Sequence, residues 1–349
     1  MVNSTDSTRR REARYRDARA LRMSGRYDEA LALLRDSRDP RGRADLLLSL
    51  AGTGHVKEAL TVADSAVALH DSSIVWDSVV AALGRQDPRA ASALVTRLGD
   101  DPKAAPESRA RRLYDDAVRL EPVDSAGANA RYLQVANMTR ATESATRARL
   151  HLVRQAMSGA STLEDLAPFA DSLALLGRQT SSAAAEATAL AAEITRVRQL
   201  SDSARPDVPQ GDLRLFLGAE AARDSLRAPR LAAALFRRIG NDWPLSPYAP
   251  KALLAAQLIE PVDIDSERAR LDSLYPNSPY LALVRGENAP GYRVLEDSLK
   301  AFASRQPGGS ARRTTPPPRP REDLVPARGQ RRAPQPSEAA PGNRRHVEQ

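Results

Sequence analysis

Trp243-Pro244-Leu245-Ser246-Pro247-Tyr248 returns as Tyr275-Pro276-Asn277-Ser278-Pro279-Tyr280, 32 residues further along the chain. An aromatic-Pro-x-Ser-Pro-Tyr pattern recurring at that distance marks stacked supersecondary units, because structural repeats have periods of roughly 20–50 residues. Its parts predict a helix stop followed by a helix start. The first proline disfavours helical geometry at the aromatic before it. The serine can cap the next helix, and the second proline fits the first turn, where a missing N–H is no loss. Repeated helix pairs build surfaces that hold other macromolecules and rarely build catalytic pockets.

Composition agrees with a helical interior. Aromatic residues are 4% of the 349-residue chain while apolar residues reach 42%, so the core must be built mainly from Ala, Leu and Val. Strands would draw on more Tyr, Phe, Ile and Thr. Cysteine is absent, which excludes disulfides, thiolate metal sites and cysteine nucleophiles.

Toward the N-terminus a second, looser repeat is legible. Gly25-Arg26-Tyr27-Asp28-Glu29-Ala30-Leu31 aligns with Gly54-His55-Val56-Lys57-Glu58-Ala59-Leu60, 29 residues later, and a third break is expected at Gly84, with Asp87-Pro88 starting the next helix. Tyr114-Asp115-Asp116-Ala117-Val118-Arg119-Leu120-Glu121-Pro122 supplies an aromatic-x-x-Ala closing half with its proline. These residues resemble the tetratricopeptide repeat (TPR) family, which carries Gly-x-Tyr-x-x-Ala at the turn between its two helices. The resemblance implies helical hairpins, although the family's usual period is about 34 residues.

Between Ser125 and Leu200 the pattern becomes Ala-rich helix. Ala183, Ala187, Leu190, Ile194 and Val197 follow each other at spacings of 4, 3, 4 and 3, a seam that packs inside its own domain or, as the alternative, pairs two chains into a homo-oligomer. Residues 201–211 hold two prolines and a glycine and predict a hinge or domain boundary. The region after it, with both copies of the opening pattern, resembles the envelope-associated TPR proteins of Gram-negative bacteria, namely BamD-like outer-membrane assembly lipoproteins and the Tol-Pal associated TPR proteins. That resemblance covers about 90 residues and implies work at the cell envelope.

The formal charge is +8, which raises nucleic acid or an anionic surface as a partner. Only four of the 52 basic residues are lysine, Lys57, Lys103, Lys251 and Lys300, and from Pro307 onward nine arginines face four acids. This Pro/Arg-rich tail cannot bury enough apolar area to offset its ordering entropy, so it is expected to be disordered. It has no aromatic residue for base stacking, and its arginines (Arg312, Arg313, Arg319, Arg321, Arg328, Arg331, Arg332, Arg344 and Arg345) could meet phosphates only electrostatically. No apolar run of about 18 residues exists to make a transmembrane segment, and Met1–Arg11 lacks the apolar core of a secretion signal. The chain as written is therefore expected in the cytoplasm. A start site called too far downstream would place it in the periplasm or on the outer membrane as a lipoprotein.

No catalytic constellation is legible. His55, His70, His151 and His346 share no helix face at metal-ligand spacing. Asp263-Ile264-Asp265-Ser266-Glu267 opens like a calcium loop, but Arg268 and Leu274 stand where the glycine and distal glutamate belong, so it reads as the acidic first turn of a helix. The four Asp-Ser-Leu tripeptides at 171, 224, 272 and 297 have no nucleophile elbow and no partnered histidine. Tyr248 and Tyr280 are read as repeat-defining core, the alternative being the lining of a peptide groove.

These readings combine into an all-α, TPR-like helical-hairpin solenoid in two arrays: a disordered N-terminus over 1–8, a first array over 9–200, a linker over 201–211, a second array over 212–305 and a disordered tail over 306–349. The expected function is a non-catalytic protein-binding scaffold or adaptor for a bacterial envelope assembly, with protein partners on a concave helical surface. No cofactor, metal or catalytic residue is expected, and the binding residues are not specified. The alternative is a cytoplasmic regulator that binds nucleic acid or an acidic partner through its basic tail.

Overall fold

The computed structural model describes residues 2–35, 40–99, 105–138, 142–261 and 264–306. Seventeen α-helices and two short 3-10 turns account for their regular structure, with no strand among the described residues. The first half contains α1 (Val2–Met23), α2 (Tyr27–Leu34), α3 (Arg43–Gly52), α4 (Val56–Ala68), α5 (Trp76–Gln86), α6 (Pro88–Gly99), α7 (Pro106–Leu120), α8 (Ser125–Ala136) and α9 (Glu143–Met157). The second contains α10 (Ala167–Gly177), α11 (Ser182–Asp202), α12 (Gly211–Asp224), α13 (Pro229–Asp242), α14 (Ala249–Ile259), α15 (Ile264–Leu274), α16 (Pro279–Val284) and α17 (Tyr292–Arg305). Residues through Leu299 form one compact unit; the remainder begins at Lys300. Of the tail expected to be disordered over 306–349, residues 307–349 lie outside the described residues.

Local chemistry explains where the helices turn. Gly25 and Gly54 both take φ +80, the left-handed geometry that glycine adopts without penalty. Arg26 N–H donates to Leu21 O, and His55 N–H donates to Leu50 O, each at 2.9 Å, so the two turns close with the same Schellman-type bond. Gly84 does not make a third turn. It lies inside α5, where a Cβ would overlap Cδ and Nε of Arg119. The break comes at Asp87, whose carboxylate accepts from the amides of Arg89 and Ala90 at 2.9 and 3.1 Å and so caps α6. Pro88 follows as the first helical residue.

The two aromatic-Pro-x-Ser-Pro-Tyr stretches also turn alike. Ser246 N–H donates to Trp243 O and Ser278 N–H to Tyr275 O, both at 3.0 Å. They differ at the following helix. Pro279 opens α16, as expected, whereas α14 opens at Ala249 and takes Pro250 into its first turn. Ser246 Oγ accepts from Tyr248 N–H at 3.2 Å, but Ser278 makes no side-chain cap.

Neighbours in sequence are neighbours in space. α3 packs against α1, α2, α4 and α5; α4 meets α6; α7 meets α8 and α9; α9 meets α10 and α11; and α11 to α14 pack consecutively. One continuous apolar core runs from Leu31 to Ala148, with alanines such as Ala51, Ala59, Ala63, Ala91 and Ala117 fully buried in it. Small side chains let helix axes come together, and short connections keep hairpin partners adjacent.

Two expected boundaries change. The N-terminal stretch expected to be disordered over 1–8 is helical from Val2; it contains no glycine or proline to interrupt a helix that continues into Ala18 and Leu21. The 201–211 linker is a packed connection inside the compact unit. Arg238 donates to Ala204 O at 3.1 Å and to Ser201 Oγ at 3.2 Å, while a Cβ on Gly211 would meet Arg205 O at 2.5 Å and the Trp243 ring at 2.9 Å. Its prolines end α11 without releasing the chain.

Candidate functional site

A groove of about 720 Å³ runs along α1, α3 and α5. Its construction begins at Gly52, where a Cβ would lie 2.8 Å from the ring of Tyr27. Without that Cβ the ring lies flat on the backbone of α3 and becomes part of the groove lining, beside Leu48 and Ala82. Around this apolar floor stand four arginines, Arg19 and Arg22 of α1, Arg41 before α3 and Arg85 of α5, with Asp45 as the one carboxylate.

Their engagements differ. Arg22 Nε donates to Asp45 Oδ1 at 2.6 Å, and both side chains are largely buried. Arg41 pairs with Glu12 at 3.1 Å and lies 5.4 Å over the Tyr15 ring. Arg19 and Arg85 are exposed and make no ion pair among the described residues. Among the described residues the groove thus has two guanidiniums in ion pairs and two without, a net positive lining with a small apolar floor.

Tyr248 and Tyr280, weighed above as core or groove, are both buried. Tyr248 packs against Phe216 with centroids 6.4 Å apart, and Tyr280 meets Tyr292 edge-on at 5.7 Å. Their hydroxyls reach α17: Tyr248 Oη donates to Leu295 O at 3.3 Å and Tyr280 Oη to Glu296 Oε1 at 3.0 Å. Lys251 completes the cluster, 2.6 Å from Glu296 and over the faces of Phe216 and Tyr280. Burial pushes the Tyr280 phenol well above its ordinary range, with the Glu296 hydrogen bond adding to the shift. Burial likewise raises the Glu220 carboxyl, against the opposing pull of Lys251 and Arg223. This cluster cements helices together.

Farther up the chain His151 stacks on Tyr132 with centroids 3.9 Å apart, and Tyr132 Oη donates to Glu121 at 3.2 Å. Desolvation lowers the His151 pKa, opposed by the Glu121 charge. Among the described residues no group of three or more His, Asp or Glu side chains is placed to hold a metal. Asp265 stands in the first turn of α15, and Asp263 lies outside the described residues. Of the Asp-Ser-Leu serines, Ser172 and Ser298 donate back to carbonyls of their own helices, Pro168 O at 2.9 Å and Val294 O at 2.7 Å, the ordinary satisfaction of a hydroxyl on a helix face. No helix among the described residues is long and apolar enough to cross a membrane.

Comparison with protein-family models, with curated proteins and with solved structures finds no match for this chain. The groove was not legible from sequence. Arg19 and Arg85 are separated by 66 residues, and in a chain this rich in arginine no single one stands out.

Proposed function

We propose that the protein is a non-catalytic scaffold or adaptor built from TPR-like helical hairpins, holding a partner protein on the face formed by alternate helices. The observation that carries the repeat reading is a spacing in the hydrogen bonds. Gln86 bonds Gly52 O, Arg111 bonds Asp77, Arg238 bonds Ala204 O and Ser246 bonds Asp212, each across 34 residues. Thr146 to Gln179 spans 33, and Arg112 to Asp77, Arg147 to Ser182 and Arg198 to Leu163 O span 35. Other long-range bonds span 23, 28, 39 and 45 residues; the group at 33–35 matches the roughly 34 residues of a TPR unit. The strongest helix contacts, which lie between near neighbours along the chain, support the same reading.

The groove along α1, α3 and α5, with Tyr27 of α2 in its floor, supports the binding surface, since it offers arginines without an ion pair among the described residues. The placement at a bacterial envelope assembly rests on the Trp243–Tyr248 and Tyr275–Tyr280 patterns. The test is a crosslinked, nuclease-treated pull-down from the native host, comparing the full chain with one ending at Gln306. Recovery of the same envelope proteins by both supports the scaffold. Recovery that needs residues 307–349 and vanishes with nuclease or salt overturns it in favour of the regulator that binds nucleic acid through its tail.

A further inference from the structure

We infer that the groove of α1, α3 and α5 is a recognition site for an extended acidic protein segment, carboxylates on Arg19 and Arg85 and an apolar side chain between them. The inference rests on the scaffold reading and names the chemistry of its ligand. Arg19 and Arg85 stand on α1 and α5, the helices flanking the central α3, and neither has an ion-pair partner among the described residues, whereas Arg22 and Arg41 are held by Asp45 and Glu12. Two uncommitted guanidiniums of a planar, bidentate donor type are suited to carboxylates presented from two sides. Between them Tyr27, Leu48 and Ala82 offer apolar surface kept open by Gly52.

The same lining disfavours nucleic acid. Its aromatic side chain, Tyr27, is held against Gly52 instead of being free to stack on a base. The acidic segment must come from a partner with an excess of Asp and Glu, because residues 307–349 of this chain carry nine arginines against four acids.

The test uses the full chain and a fluorescent peptide of glutamates around one central leucine, with an oligothymidylate of matched charge as the competing class. Three proteins are compared: wild type, Arg19→Glu with Arg85→Glu, and Arg328→Glu with Arg331→Glu, which changes the net charge equally at two arginines that are not among the groove's lining residues. Both groove side chains are exposed and have no ion-pair partner among the described residues, so the melting temperature should stay that of wild type. At about 0.1 M salt the groove pair should weaken peptide binding about tenfold or more, and the tail pair far less. Equal loss in the two variants would mean attraction by net charge alone and overturns the site. A groove pair that weakens the oligothymidylate as much as the peptide overturns the ligand class. Wild type that binds the peptide no better than the groove pair does, with the pull-down partners still recovered, removes the acidic-segment inference and leaves the scaffold standing.

Discussion

Asp116 is fully buried, and three donors meet its carboxylate: Ser92 Oγ at 2.7 Å, Arg119 at 3.0 Å and Arg131 at 3.1 Å. Removing it strands two largely buried guanidiniums, so Asp116→Ala should cost about 3 kcal/mol in urea unfolding, in the range for a broken buried ion pair. Gly84 belongs to the same network, because the space a Cβ would fill is taken by Arg119. Glu143 carries a pH dependence. Hydrogen bonds from Ser182 and Ser181, with the Arg147 charge, hold its carboxyl at about 2 against an ordinary 4.5. Between those values the unfolded chain binds the proton more readily, so its contribution is complete above pH 4.5 and lost as pH falls to about 2. Wild type and Glu143→Gln should therefore differ in melting temperature above pH 4.5 and converge near pH 2; a constant difference would refute the assignment.

At the scale of the element, the five-residue seam of α11 shows how far periodicity reads. Ala183, Ala187, Leu190, Ile194 and Val197 are all buried, and α11 packs on α9, α10 and α12 of its own chain. Ile194→Ala should then cost about 2–4 kcal/mol with no change of mass in solution, as expected for a cavity in a core and unlike the loss of a dimer seam. Helix α17 is held through Glu296, which meets both Lys251 and Tyr280. Glu296→Ala should speed amide exchange over residues 292–299 while leaving α13 protected; unchanged exchange would mean that the apolar contacts alone hold the helix. Stops and starts carried by glycine geometry, Asp-Pro and aromatic-Pro were readable because they act within a few residues. Gly84 misled for a related reason: a glycine marks freedom at one point, and only the neighbouring helix shows whether a turn or a passing arginine uses it.

For the molecule as a whole, locality of contact makes the strongest expectation. Since most strong helix contacts join elements one or two places apart along the chain, Leu50→Ala should raise exchange through α2 to α5 and leave α12 and α13 as protected as before. A uniform loss of protection would instead show a single cooperative body. The identical-residue spacings of 29 and 32 concealed the separation of 33–35 at which hydrogen bonds recur, because those bonds join chemically different partners, an arginine to a carbonyl in one place and a serine to an aspartate in another. The amino-acid sequence by itself determined the all-helical class, the turns at Gly25 and Gly54 and the breaks at the two aromatic-Pro stretches, since backbone preference and capping operate over a single turn of chain. Only the tertiary structure decided which arginines are committed, where 201–211 packs, and that Arg19 and Arg85 face one groove. Those outcomes depend on which helix faces meet, and that is settled by close packing among side chains distant in sequence.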